Sequence, residues 1–230
     1  TEERWRSFIG LYPVPRVYGM TVGELARLLN AEYQLGCRLI VIPMSGYSRT
    51  LGWQDVGWAW TATSPNIPSP ESAMCFAATG TMGVTNQFFI DIGGERPFQV
   101  VGASWLNAEK AASDLARFRL PGVQFIAQPQ YLATAGSLKG KTVPSILLKV
   151  TEPSRFLPST TELVMLWYLQ RHAAGKLQWQ PATFDAFDKA MGTTAVRESL
   201  MRGDDLQKIL DGWRAGQRAF LAQRERYLIY

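Results

Sequence analysis

Apolar and polar positions alternate along this chain in blocks that predict helices and strands in a definite order. Thr21, followed three residues later by Glu24, reads as a capping box opening a helix. Leu25, Leu28 and Leu29 share one face of that helix, and Gly36 is its expected stop. Cys37 to Ile42 is an apolar run of strand length ended by Pro43, so Cys37 is expected to open a buried strand. Ser45 to Pro70, rich in Gly, Trp, Ser and Pro, reads as a long loop. Ser69 and Pro70 predict an N-cap and first helical position for a short helix through Ala78. Phe88 to Ile92 and Phe98 to Val101 read as strands parted by a Gly93-Gly94 turn. A helix from about Ala108 to Phe118 is expected next, then strands at Val123 to Ala127 and Val143 to Val150. Beyond Pro158 the pattern turns helical, and the last helix carries Leu206, Ile209, Leu210, Trp213 and Phe220 on one stripe. The fold class expected is α/β: a single domain over residues 1–230, with a mixed sheet, flanking helices and a helical C-terminal part.

Composition narrows the function classes. At 230 residues with 47% hydrophobic positions, the chain can bury one substantial core. No run approaches the roughly 20 apolar residues that a transmembrane helix needs. The net charge of +5 comes from Lys and Arg interleaved with acids. That is the pattern of a solvated surface, so no nucleic-acid partner is expected. The two cysteines, Cys37 and Cys75, lack zinc spacing. They could pair in an oxidising compartment, but free core thiols are the expectation. The single histidine, His172, sits late in a helix before Gly175, where capping suits it better than catalysis. One histidine also argues against His-based metal sites and Ser-His-Asp triads, so no metal and no cofactor is expected.

Several stretches carry a resemblance. They are SFIGLYPVPRVYGMTVGELARLLN (Ser7 to Asn30), Cys37-Arg38-Leu39, Ser45 to Arg49, Trp53-Gln54-Asp55, TSPNIPSPESA (Thr63 to Ala73) and FQVVGASWL (Phe98 to Leu106). The tail continues it with FDKAMGTTAVRESL and WRAGQRAFLAQRERYLIY. In that order they resemble the second half of the exo-β-N-acetylmuramidase family, whose members remove N-acetylmuramic acid from the non-reducing end of peptidoglycan fragments. The resemblance implies that the chain corresponds to the C-terminal half only. The family's N-terminal Rossmann-like half, which contributes part of the sugar site, is then expected to be absent. Thr1 stands at about the junction between the halves, without an initiator methionine, as in a processed product or a stand-alone remnant. A muropeptide or amino-sugar ligand, a protein partner or the missing half, and an extracytoplasmic location (periplasmic or cell-surface) are also implied.

Glycoside hydrolysis generally needs two carboxyl groups, one to protonate the leaving oxygen and one to activate water or attack the sugar. By the resemblance, one glutamate should precede Gly-Thr-Asn, and here that position falls on Gly83 or Met82. A second should follow in a Ser-Glu-Gly-Arg-Gly-Thr run, which has become Gln87 to Gly94. The family's histidine before Gly-Met-Thr is Tyr18, and a phenol with an ordinary pKa near 10 does not replace it as a neutral-pH proton carrier. Asp91 and Glu95 are the only acids that could compensate; strand alternation puts Asp91 opposite Ile90 and Ile92, and Glu95 could simply pair with Arg96. Asp55 reads as an Asx turn.

Candidate ligand residues by the resemblance are Arg49, Ser64, Asn66, Thr85, Asn86 and Arg96. Arginine suits the lactyl carboxylate of muramic acid and asparagine suits sugar hydroxyls. Equally, Asn66 could only tie a turn and Arg96 could hold the segment after it. Trp53, Trp58 and Trp60 could stack on a pyranose or fill the underside of their loop. The lost acid and histidine positions favour a non-catalytic homologue, a binding module or structural subunit of a larger assembly. The alternative is a glycoside hydrolase module that removes N-acetylmuramic acid from cell-wall fragments.

Overall fold

The computed structural model describes residues 1–8 and 10–230; Ile9, inside the Ser7 to Asn30 stretch, lies outside the described residues. Helix α1 (Val22–Glu32) is capped as its sequence dictates. The Thr21 side chain accepts from the Glu24 N–H, and the Glu24 carboxylate accepts from the Thr21 N–H. Leu28 is fully buried and Leu25 and Leu29 pack beside it, against Met20 and Phe220. After the four-residue α2 (Trp53–Val56), α3 (Pro70–Gly83) starts at the predicted Ser69 cap and runs past Ala78. Then come β1 (Val100–Gly102), α4 (Ala108–Ala116), β2 (Val123–Leu132) and β3 (Thr142–Val150). The chain closes with α5 (Pro158–His172), α6 (Pro181–Met191), α7 (Ala195–Arg202) and α8 (Leu206–Arg224).

The result is the expected α/β architecture, a small sheet flanked by helices with a helical C-terminal stretch. The strands lie in the order β1-β3-β2, and both pairings are antiparallel. The main core gathers Met82, Ile146, Leu148, Leu163, Met165, Leu166 and Phe187 between the sheet and the helices α3, α5 and α6. Burial of this kind contributes roughly 25 cal/mol per Å² of apolar surface, and it outweighs the weak intrinsic preference of any one element. Helix α8 serves two clusters: Ile209 faces the main core, while Phe220 completes the smaller one with Met20 and Leu28. Cys75 is a buried core thiol, pushed up to about 12 by burial, and Cys37 is exposed; both are free. Among the described residues, no helix is long and apolar enough to cross a membrane.

Two predicted strands do not form. Cys37 to Ile42 forms no strand among the described residues and is exposed apart from half-buried Val41, with Ile42 at 86% of full exposure. Its start is tied down by the Asn30 amide, which brackets Cys37 with hydrogen bonds of 2.9 and 3.0 Å, and Val41 packs on Gly23 of α1. Phe88 to Ile92 shortens to one bridge between Phe89 and Gly102, because Asp91 turns into the left-handed region (φ 51°) and ends the extended backbone.

The exposure of Ile42 fixes an expectation. Ile42→Lys should change unfolding free energy by no more than about 0.5 kcal/mol in a urea titration, whereas Leu28→Ala should cost about 2–5 kcal/mol. A loss of several kcal/mol at Ile42 would show the segment to be buried.

Candidate functional site

Helix α3 delivers the chain to the remodelled segment. At its end the Thr85 hydroxyl donates to the Met82 carbonyl (2.7 Å) and the Gln87 N–H points at the same hydroxyl (3.4 Å), so Thr85 is a buried helix stop. Asn86 follows in the left-handed conformation (φ 56°), which asparagine tolerates, with its side chain exposed. Gln87 then clasps the backbone of Gln178, joining this turn to the link between α5 and α6. At Gly83 an added Cβ would lie 2.5 Å from Cδ1 of Ile90, and Met82 is fully buried in the core. A side chain at 83 would displace the Ile90 methyl, and one at 82 is shut inside the core.

Asp91 lies buried beneath its own turn. One oxygen accepts from the Arg96 N–H (2.8 Å) and the Tyr131 hydroxyl (2.6 Å), and its carbonyl accepts from Gly94 (2.9 Å). Burial, then Asp91 itself, raises the pKa of the Tyr131 phenol. Gly94 is required here, since a Cβ would strike the Asp91 carboxylate at 2.1 Å. The alternation expected at Asp91 is not what forms: Ile90 and Asp91 are both buried, and Ile92 is exposed. Glu95 and Arg96 are exposed, and neither side chain forms an ion pair among the described residues. Glu95 is therefore the solvent-facing acid of the segment.

The N-terminal candidates gather around a carboxylate that the sequence reading did not single out as a site residue. Glu24 is fully buried and takes hydrogen bonds from Thr21 N–H (2.7 Å), Arg49 Nη2 (2.6 Å) and Ile229 N–H (2.8 Å). Burial works to raise its pKa, but the Ile229 and Thr21 N–H groups and the Arg49 guanidinium hold it down to about 2. Arg49 also donates to the carbonyls of Gly19 (3.0 Å) and Tyr230 (3.3 Å), so its guanidinium is committed to the fold. Tyr18 packs on the Met20, Leu28 and Phe220 cluster, and its carbonyl accepts from Arg224. Ser64 shapes a turn, accepting from Asn66 N–H at its hydroxyl (3.2 Å) and from Ile67 N–H at its carbonyl (2.9 Å). The Asn66 amide makes no side-chain hydrogen bond among the described residues. Asp55 accepts from Gly52 N–H (2.7 Å) and caps α2 rather than making an Asx turn. His172 ends α5 with Nδ1 2.8 Å from the Tyr168 carbonyl.

A second buried acid also went unnoticed. Glu162, in the second turn of α5, meets Arg16 Nη2 at 2.5 Å and accepts from the Thr81 hydroxyl on α3. Burial pushes it up to about 7, against the pull of Arg16 and Thr81. A hydrophobic run after Pro158 gave no hint of it, since the partners lie 81 and 146 residues away. A groove of about 580 Å³ between Pro13 and the Gly216, Ala219 and Gln223 face of α8 is lined by none of the predicted site residues. No cluster of metal-ligating side chains occurs among the described residues.

Comparison with known proteins follows this geometry. Residues 74–230 match the family model "Exo-beta-N-acetylmuramidase NamZ, C-terminal", and residues 1–71 match "Exo-beta-N-acetylmuramidase NamZ, N-terminal". This corrects the expectation that only a C-terminal half is present and that an N-terminal half is missing. The matched N-terminal portion holds α1 and a long segment without strand pairing, so the strand–helix alternation of a Rossmann-like unit is not legible in it. The chain is 30% identical over 229 residues to the peptidoglycan β-N-acetylmuramidase NamZ of Bacillus subtilis (strain 168), covering 100% of this chain and 54% of that protein. A DUF1343 family protein of Bacteroides fragilis NCTC 9343 superposes with a TM-score of 0.92 at 27% identity, over 100% of this chain and 61% of that one. A second from the same organism, at TM-score 0.72 and 20% identity, covers 60% of that chain and shares the fold. The chain thus spans about half the length of the curated relative it matches.

The two buried acids predict opposite pH dependences. Glu24 titrates near 2 when folded against an ordinary 4.5, so its contribution is complete above pH 4.5 and is lost as pH falls through 2. Up to roughly 3 kcal/mol is at stake, and Glu24→Gln should flatten this acid limb in urea unfolding. Glu162 titrates near 7, so its contribution is complete below pH 4.5 and is lost as pH rises through 7. Glu162→Gln should flatten the fall between those values.

Proposed function

Because the chain belongs to the exo-β-N-acetylmuramidase NamZ family, we propose that it is a glycoside hydrolase module acting on the N-acetylmuramic acid ends of cell-wall fragments. The observation that carries this reading is the agreement of both family models with successive parts of the chain, 1–71 and 74–230. A relative named for peptidoglycan β-N-acetylmuramidase activity aligns over all of this chain and 54% of its own length, which supports the same substrate class. In this reading Arg96, exposed and free of ion pairs among the described residues, takes the lactyl carboxylate, and Asn86, also exposed, bonds sugar hydroxyls or the acetamido group. Glu95 is the carboxyl that reaches solvent and handles the proton. Thr85 stops α3 ahead of Asn86, and Asp91 holds the separate turn that carries Glu95 and Arg96. Ser64 and Arg49 shape and fasten the N-terminal portion without contacting sugar. An extracytoplasmic location goes with a cell-wall substrate.

One observation favours a second reading, binding without turnover. Position 83 is a glycine with the Ile90 side chain packed against it, so no carboxyl stands before Val84-Thr85-Asn86. Retentive sites need two carboxyls about 5–5.5 Å apart, and inverting ones about 6.5–9.5 Å. Glu95 alone supplies one.

A chromogenic aryl N-acetylmuraminide and muropeptide fragments distinguish the readings when release and binding are measured on the same preparation. The hydrolase reading expects release, and a loss of about a hundredfold in kcat for Glu95→Gln. Binding without release selects the second reading. Absence of both contradicts the proposed function.

A further inference from the structure

The turn that carries Glu95 and Arg96 is anchored to the end of β2, and Tyr131 makes the anchor. The Cα partners of β2 and β3 step from Gln128 and Ser145 to Tyr131 and Val143, so β2 carries one residue more than β3 over that stretch. This is a β-bulge, and Pro129, which has no N–H to give a ladder, lies inside it. An unbroken ladder would set Gln130 opposite Val143; the extra residue brings Tyr131 there instead and moves its ring to the Val143 face. That ring lies 5.9 Å from Phe89, and its hydroxyl donates to Asp91 Oδ2 at 2.6 Å. The same oxygen accepts from the Arg96 N–H at 2.8 Å. Asp91 Oδ1 faces Gly94 and has no partner among the described residues, so these two donors are all that this buried carboxylate keeps. Burial and Asp91 raise the Tyr131 phenol above its ordinary value, and the charges of Arg96 and Glu95 act on it too, in opposite senses. Tyr131, Asp91, Glu95 and Arg96 therefore form one group.

We infer that Tyr131 is a positioning residue for the candidate site: through Asp91 it fixes the backbone of Arg96, and so sets the preference of that guanidinium for a sugar bearing a carboxylate. The inference rests on the reading above, in which Arg96 takes the lactyl carboxylate of N-acetylmuramic acid. Arginine gains most from a carboxylate through two parallel hydrogen bonds, which need the guanidinium in one place. Arg96 is exposed and has no ion pair among the described residues, so its backbone is what places it. That backbone is held at its N–H by Asp91, and Asp91 is held by Tyr131. Without the phenol hydroxyl a buried carboxylate is left with one donor, and it gains by moving toward water and taking the turn with it. A phenyl ring at 131 would fill the same space beside Phe89 yet leave Arg96 loose. Tyr131 touches no sugar and acts through Asp91 alone.

The test is calorimetric titration of the whole chain with the methyl β-glycosides of N-acetylmuramic acid and N-acetylglucosamine, which differ by the lactyl ether. The parent should bind the muraminide more tightly. Tyr131→Phe should weaken muraminide binding about threefold to tenfold, the range of one hydrogen bond, and leave glucosaminide binding unchanged. Added to Arg96→Ala it should cost nothing further, because the group it positions is gone. Gly94→Ala, whose Cβ would meet Asp91 Oδ1 at 2.1 Å, reaches the same carboxylate from the other side and should cut the same preference. It decides the matter if Tyr131→Phe fails to fold. If the parent separates the two sugars but the variants separate them equally well, weaken both alike, or add their loss to that of Arg96→Ala, the positioning role is wrong while the Arg96 reading stands. If the parent does not separate them, or binds neither, the Arg96 reading falls and the positioning role with it.

Discussion

A single carboxylate, Glu24, is fully buried and accepts hydrogen bonds from positions 21, 49 and 229. Taking an ionised carboxylate out of water costs several kcal/mol unless donors replace the lost hydration. Here the donors come from the start of α1, the segment before α2 and the C-terminal end of the chain. No two of them can be in place while the third is absent without leaving part of that charge uncompensated. Arg49 extends the joint to the carbonyls of Gly19 and Tyr230, and Arg224 adds bonds to Tyr18 and Gly19. Tyr47 closes it by meeting Tyr230 edge-on at 4.9 Å. The portion matching the N-terminal family model is thereby fastened to the far end of the portion matching the C-terminal one.

That fastening explains which polar residues remain available. Arg49 and Tyr18 are consumed by it, one through its guanidinium and the other through its ring and carbonyl. At the other end of α3, Thr85 and Asp91 are consumed by turn geometry. What is left facing solvent is Asn86, Glu95, Arg96 and Trp58, with Asn66 half-buried, a set richer in recognition groups than in acids. Three of the buried acids, Glu24, Glu162 and Asp188, are each paired with an arginine, whereas Asp91 is held by the Arg96 N–H and the Tyr131 hydroxyl. The three pairs hold elements together: α1 to the C-terminal end, α5 to α3 through Arg16, and α6 to α7 through Arg197.

Much of the fold was legible where the code is local. The Thr21 and Glu24 box, the Ser69-Pro70 start and the apolar runs of β2 and β3 depend on neighbours within a few residues, and each formed. Cys37 to Ile42 was misread because an apolar run announces burial without saying what buries it. Phe88 to Ile92 was misread because an apolar run does not announce that Asp91 leaves the extended region for the left-handed one. The site was harder still. Motif resemblance brought Thr85, Asn86 and Arg96 to notice, but it could not separate Thr85, a buried helix stop, from its exposed neighbour. Glu24 was seen as a helix cap, while its partners 25 and 205 residues away had no local signature.

Hydrogen exchange on the intact chain and on Glu24→Gln tests this fastening most directly. The buried joint predicts that α1 and the last residues around Ile229 lose amide protection together in the variant, while β2 and β3 keep theirs. Loss confined to the first turn of α1, with the C-terminal end still protected, would reduce Glu24 to a local helix cap and contradict the joint.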